Sequence, residues 1–323
     1  MREMKNLITI IPAKTQTRLY GYDSYFLMFN ELFKNKKMHN RILLTGPKGS
    51  GKATFAYHFI NYLLSQNEEN SYDLKNFSIN EDNYSYKFLN LNLHPNFFLI
   101  DNLLDEQVIK IEQIRNLITF INKSTYSQNI KIVLIDNVEL LNINSANAVL
   151  KVLEESTTNT YFFLIHNSHS KLLETVKSRC TEFKFFFTKL EKEKTFNKIL
   201  SQYKLNNTNN KIIDNLYFDT PGNMIKYSML LQNQDIDNSE NILDFIKLLI
   251  ENYTKNKSSE TLSQIALFIE VYYNKLSLAK SNILPNFFYN YSKILKYLSH
   301  MKRYNLSDKN ILTSIKNILI YEK

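Results

Sequence analysis

Gly46-Pro47-Lys48-Gly49-Ser50-Gly51-Lys52-Ala53 is the stretch that decides the fold. It fits the phosphate-binding loop G-x-x-x-x-G-K-[ST] at every position but the last. In such a loop backbone N–H groups cradle nucleotide phosphates, the Lys reaches the β- and γ-phosphates, and the final hydroxyl holds Mg²⁺. Ala53 offers only a methyl group, where a hard cation needs oxygen, and Thr54 comes one residue late. The flanks have the context the motif requires. Arg41-Ile42-Leu43-Leu44-Thr45 is a short apolar run before the loop, and Ala53 to Leu64 carries Phe55, Ala56, Phe59, Tyr62 and Leu63 at helical spacing.

Outward from the loop, strands and helices alternate. Phe97 to Ile100 reads as a strand, and Glu112 to Asn122 as a helix with Ile114, Leu117, Ile118 and Ile121 on one face. Lys131-Ile132-Val133-Leu134-Ile135 is a buried strand ending at Asp136. Asn144 to Glu155 is a helix carrying Ala148, Leu150 and Leu153, and Tyr161 to Ile165 is a further buried strand. The polar stretch 66–90 reads as an irregular insertion. This alternation implies an α/β fold with a parallel sheet covered by helices on both faces. After Phe187 the pattern becomes helical. Lys189 to Lys204 and Lys211 to Leu231 read as helices around Thr220-Pro221-Gly222, and amphipathic helix follows from Glu240, broken near Pro285. The expected division is an α/β domain over 1–187, a small helical lid over 188–235 and an all-α C-terminal domain over 236–323. Hinges are expected at 205–210 and 232–239.

Composition sets outer bounds. Of 323 residues 44% are hydrophobic, an ordinary globular value. No apolar run approaches the ~18 residues of a membrane span, and Met1 to Leu19 lacks an export signal, so a cytoplasmic location and no membrane partner are expected. A single cysteine, Cys180, excludes an internal disulfide and a cysteine zinc cluster. It reads as a small packed side chain. The net charge of +9 suits a polyanionic partner, but it comes from 34 Lys against 6 Arg, and the Lys residues are spread along the chain. Charge alone is therefore a weak pointer to nucleic acid.

The loop needs an acidic partner for the metal's water shell, and Asp136 fits that role. The next residue, Asn137, cannot accept a proton as a general base, and Glu139 lies two positions further on. Ala53 and Asn137 are thus both unsuited to hydrolysis. His39, His166 and His169 lack metal-ligand spacing. Asn167 or His166 could occupy a sensor position near a γ-phosphate, and the choice stays open. Phe183, Phe185, Phe186 and Phe187 read as core at a domain junction.

The loop, the strand to Asp136, the helix Ser145 to Glu155 and Ser178-Arg179-Cys180 follow in one order and spacing. Over residues 12–187 this set resembles the AAA+ subunits of bacterial clamp loaders, and within them the delta-prime family of the DNA polymerase III holoenzyme. Ala53 in the hydroxyl position is similar to a variant of that family. The resemblance implies that Arg179 acts as an arginine finger in trans on a neighbour's ATP, a task suited to a planar, permanently charged guanidinium. It implies a degenerate nucleotide site at Gly46, Gly49, Gly51, Lys52, Thr54 and Asp136. Whether this site holds ATP or ADP stays open, since Lys52 and the loop amides persist without the metal ligand. It also implies a hetero-oligomer with motor (tau/gamma) and delta subunits, a sliding clamp and primer-template DNA, with the C-terminal helices as a collar. Such a subunit is not itself the polymerase and does not hydrolyse ATP alone. No zinc is expected, because 66–90 lacks the Cys residues of the family's zinc module. Asn223 and Met224 follow Thr220-Pro221-Gly222, where ATP-using relatives place a sensing Arg. Ser156 replaces a Pro after the Glu pair. The alternative is an active AAA+ ATPase, a motor subunit or a related replication or recombination enzyme, using Thr54 for the metal and Glu139 for the water.

Overall fold

The computed structural model describes residues 10–102, 108–123, 130–155, 159–203, 205, 219–233, 242–257, 259–279, 286–304 and 308–321. The chain divides into two compact units. One comprises Ile8–Lys204 with Asp219–Lys226, and the other includes Tyr227–Lys323.

The first unit is built on helix α1 (Asp23–Lys34), strand β1 (Arg41–Gly46), α2 (Lys52–Leu64), α3 (Tyr84–Asn90), β2 (Phe97–Ile100), α4 (Ile111–Asn122), β3 (Lys131–Ile135), α5 (Ile143–Glu155), β4 (Thr160–Asn167), α6 (Glu174–Lys177), β5 (Thr181–Lys184) and α7 (Lys189–Gln202). The five strands form one sheet in the order β2-β3-β4-β1-β5, and every pairing is parallel. β3 is buried at all five positions, as a central parallel strand with covered faces must be. Alternate residues serve opposite faces. Ile42, Leu44, Ile132, Leu134, Phe163 and Ile165 pack with Phe26 and Phe29 of α1 and Phe55 and Phe59 of α2. Leu43, Val133, Ile135, Phe162 and Leu164 pack with Ile114 and Leu117 of α4 and Val149 and Leu153 of α5. The expected α/β fold, a parallel sheet with helices on both faces and a phosphate loop after β1, is what the chain forms.

Two elements differ from the sequence reading. Residues 66–90 are not wholly irregular. Asn83 caps α3, its side-chain oxygen accepting the Tyr86 N–H at 2.7 Å, which rewards helix formation after a polar run. Thr181–Lys184, which includes Phe183, also forms a fifth strand, β5, on the edge beside β1. Phe185 is fully buried, whereas Phe186 is 60% exposed. α7 begins with a capping box between Thr188 and Glu191. Residues 204, 206–218 and 234–239 and Ser156 lie outside the described residues, and with them most of the expected hinges and the start of the expected 211–231 helix.

In the second unit the helices Ile242–Asn256, Ser259–Ala279, Phe287–Tyr304 and Asp308–Tyr321 bury Phe245, Ile265, Phe268, Ile294, Leu298, Ile315 and Leu319. Phe268 meets Phe245 and Tyr227 edge-on, ring centroids 4.6 and 5.0 Å apart. A helical C-terminal region is therefore present. Among the described residues no helix is long and apolar enough to cross a membrane.

Candidate functional site

Because all five strands are parallel, their carboxyl ends lie on one edge of the sheet, where open α/β sheets bind ligands. β1 ends at Gly46, β2 runs into Asp101, β3 into Asp136, and β4 ends at Asn167, paired with Gly46. The phosphate loop crosses this edge between β1 and α2. Gly49 and Gly51 have φ of +81° and +87°, left-handed angles that a side chain resists.

Lys52 closes the loop on itself. Its ammonium donates to the carbonyls of Gly46 and Pro47, both at 2.8 Å, and more weakly to Ser50 Oγ at 3.5 Å. Burial lowers its pKa to about 8, with the Asp136 and Glu139 carboxylates pulling the other way. Burial raises the Asp136 carboxyl to about 6, and the neighbouring Asp101 adds to the rise. Asp101 is itself raised by burial. Two carboxyls and one ammonium thus share this edge, and burial shifts each toward its neutral form.

The outer side of the loop is occupied by the chain itself. Thr220 Oγ1 donates to the Lys48 carbonyl at 2.9 Å. The Gly222 N–H donates to the Gly49 carbonyl at 3.0 Å. Asp219 accepts from the Asn223 side chain at 2.8 Å, bracing the start of the helix Pro221–Asn233. On the inner side the Tyr22 hydroxyl donates to the Ser50 carbonyl at 2.9 Å, and its ring stacks on Phe187 at 4.5 Å.

Ala53, the second residue of α2, is half-buried against the core cluster, and Thr54 follows it, also half-buried. Asn137 donates toward Asp101 at 3.5 Å and Asn102 at 3.3 Å. Glu139 comes closer to the site than its spacing suggested. Asn137 adopts φ +55°, and the 3₁₀ turn Val138–Leu140 folds the chain back, so that Glu139 Oε2 accepts the Asn167 N–H at 3.2 Å. His166 is turned to the Ser170 carbonyl at 3.0 Å. Asn167 is the residue beside Gly46.

Arg179 lies at the other edge of the sheet. It precedes β5, whose first residue, Thr181, pairs with Ile42 near the start of β1. Four strand residues, about 13 Å, separate that level from Gly46. Its Nε donates to Glu154 Oε1 at 2.5 Å and its Nη1 to the Thr175 carbonyl at 2.9 Å. Burial raises the Cys180 thiol to about 11, which keeps it protonated and unreactive.

Sequence reasoning missed Asp101, the docking of Thr220 and Gly222 on the loop, and the partner of Arg179. Asp101 had a usable signal, since it follows an apolar strand just as Asp136 does.

Residues 22–188, the sheet and both of its edges, match the family described as DNA polymerase III, delta subunit. The chain belongs to the DNA polymerase III delta-prime family. The delta-prime subunit of Pseudomonas aeruginosa is 34% identical over 140 residues, 43% of this chain and 41% of that one. The delta-prime subunit of Buchnera aphidicola subsp. Schizaphis graminum is 30% identical over 190 residues, 59% and 55% of the two chains. The chain thus spans about half the length of these curated relatives. A solved gamma subunit-related protein of Thermotoga maritima superposes with a TM-score of 0.48 at 18% identity, over 90% of this chain and 99% of that one.

Proposed function

We propose that the chain is a non-hydrolysing delta-prime subunit of a replicative clamp loader that supplies Arg179 to a neighbour's ATP. The observation that carries this reading is the separation of the two edges. Arg179 stands by the start of β1 and the phosphate loop by its end, a span no arginine side chain bridges. A guanidinium placed there serves a phosphate on another chain, where it would stabilise charge during transfer. Ala53 and Asn137 support the silence of the chain's own site. Lys52 and the loop amides could still hold ATP or ADP, with Asp136 nearby. In this reading the chain assembles with motor (tau/gamma) and delta subunits in the cytoplasm and helps place a sliding clamp on primer-template DNA. The region 188–235 is its lid and 236–323 its collar.

The test is a reconstituted complex. Arg179→Ala should lower ATPase by the motor subunits while gel filtration shows intact assembly. Unchanged ATPase would refute the role. One observation favours the second reading, hydrolysis by this chain: the Glu139 carboxylate reaches the nucleotide edge. Turnover of Mg-ATP by the isolated chain, abolished by Lys52→Ala, would establish it in place of the first.

A further inference from the structure

We propose that Glu154 is the positioning residue for Arg179. This rests on the in-trans reading of Arg179 given above and deepens it. A guanidinium carries five N–H donors in a rigid fork. One, on Nε, goes to Glu154 Oε1 at 2.5 Å, and one on Nη1 goes to the Thr175 carbonyl at 2.9 Å. Among the described residues, Nη1 and Nη2 keep three donors between them, enough for an end-on pair that meets two phosphate oxygens at once. The two contacts thus hold the guanidinium by one side and, among the described residues, leave its far end open to a ligand.

Both anchors are rigid. Glu154 stands in the last turn of α5, whose Val149, Val152 and Leu153 are buried in the core. Its main-chain carbonyl also accepts from Arg41 Nη2 at 3.5 Å, tying that turn to the start of β1. Thr175 lies in α6, and its carbonyl also accepts from Ser178 Oγ at 3.2 Å. The backbone around Arg179 is a closed turn, with Arg179 N–H on Val176 O at 3.3 Å and Cys180 N–H on Lys177 O at 3.2 Å. Arg179 and Glu154 side chains are 35% and 51% exposed, so the pair sits at the surface, where a partner can reach it. An exposed ion pair adds little to stability. What it gives is order. A free arginine must freeze several rotors when it meets a phosphate, whereas this one is already aimed.

The experiment uses the full chain assembled with its cognate motor and delta subunits, in wild-type, Arg179→Ala, Glu154→Ala and Glu154→Gln forms. The Arg179-dependent part of kcat is the difference between wild type and Arg179→Ala. Glu154→Ala should lower that part about tenfold with the KM for ATP within twofold, the loss expected when a supporting contact behind a functional group is removed. Glu154→Gln keeps an oxygen acceptor for Nε–H and should retain at least about a third of it. Independently, ¹⁵N-edited NMR of the isolated chain, which holds only six arginines, should show a slowly exchanging Arg179 Nε–H that Glu154→Ala abolishes. If Arg179→Ala impairs the complex and Glu154→Ala does not, the positioning role fails and the in-trans role stands. If neither variant has an effect, the in-trans reading itself fails. A faster Glu154→Ala complex, or one that no longer assembles, would also overturn the proposal, because Glu154 would then be a restraint or an interface residue.

Discussion

Replacing Gly222 with Ala probes the joint between the phosphate loop and the segment that covers it. A Cβ there would stand 2.6 Å from the Gly49 carbonyl oxygen and 3.1 Å from Gly49 Cα. Both are backbone atoms, so no rotamer change relieves the clash, and the loop and helix must separate. Separation strains or breaks the Gly222 N–H to Gly49 bond at 3.0 Å and the Thr220 Oγ1 to Lys48 bond at 2.9 Å. At about 1 kcal/mol each these total about 2 kcal/mol, and overpacking against backbone adds about 1–3 kcal/mol. Alanine's better helix propensity returns less than about 1 kcal/mol. The net cost to docking is about 2–4 kcal/mol. It falls first on Asp219–Lys226, because that segment can detach while the sheet stays folded. Native-state hydrogen exchange at residue 222 should therefore accelerate by about 30-fold or more, at about 1.4 kcal/mol per decade, with a smaller fall in the urea midpoint. Unchanged protection, or a gain in stability from helix propensity alone, would refute the joint.

Two predictions concern pH. The Asp136 carboxyl titrates at about 6 in the fold against about 3.9 when unfolded, so stability is lost as pH rises from about 4 through 6. Asp136→Asn should then match wild type near pH 4 and exceed it by up to about 2–3 kcal/mol above pH 6, measured by urea unfolding. A difference independent of pH would show that the carboxyl is not strained. His58 behaves in the opposite sense. It is fully buried, with Nδ1 at 3.0 Å from the Tyr72 hydroxyl and Nε2 at 3.0 Å from the Gln16 carbonyl. The carbonyl only accepts, so Nε2 carries the proton and Nδ1 accepts from Tyr72. Burial lowers its pKa to about 3, so its share of stability is complete above about pH 6.5 and is lost as pH falls toward 3. NMR should show a neutral Nε2–H imidazole that does not titrate between pH 7 and 4.5. A midpoint above pH 5 would contradict the burial.

The sheet was legible because continuous apolar runs such as Lys131 to Ile135 and 3.6-residue spacing such as Ile114, Leu117 and Ile121 belong to different elements. β5 escaped because Thr181–Lys184 is a half-buried edge strand in which Glu182 and Lys184 interrupt any apolar run. α3 escaped because its signal is one capping Asn in a stretch full of Asn. At the site the phosphate loop and Asp136 could be read from local motifs. Glu139 could not be placed by counting residues, because only a non-extended path brings it to the site, and the left-handed Asn137 with the turn after it provides that path. The contacts of Glu154 with Arg179 and of Gly222 with Gly49 join residues far apart in sequence, and nothing local in either segment announces them.

The parallel sheet has one further consequence. Its two edges are chemically unlike, so a contact that sets the Arg179 edge of one subunit against the nucleotide edge of the next is head-to-tail. Such contacts cannot be self-complementary, and they build a directional series that either closes into a ring or opens as a spiral. A member whose arginine edge works and whose nucleotide edge is silent can give to one neighbour and needs nothing from the other. Under the function proposed above, that asymmetry would fit this chain to stand at the terminus of the series, where the row of active sites stops.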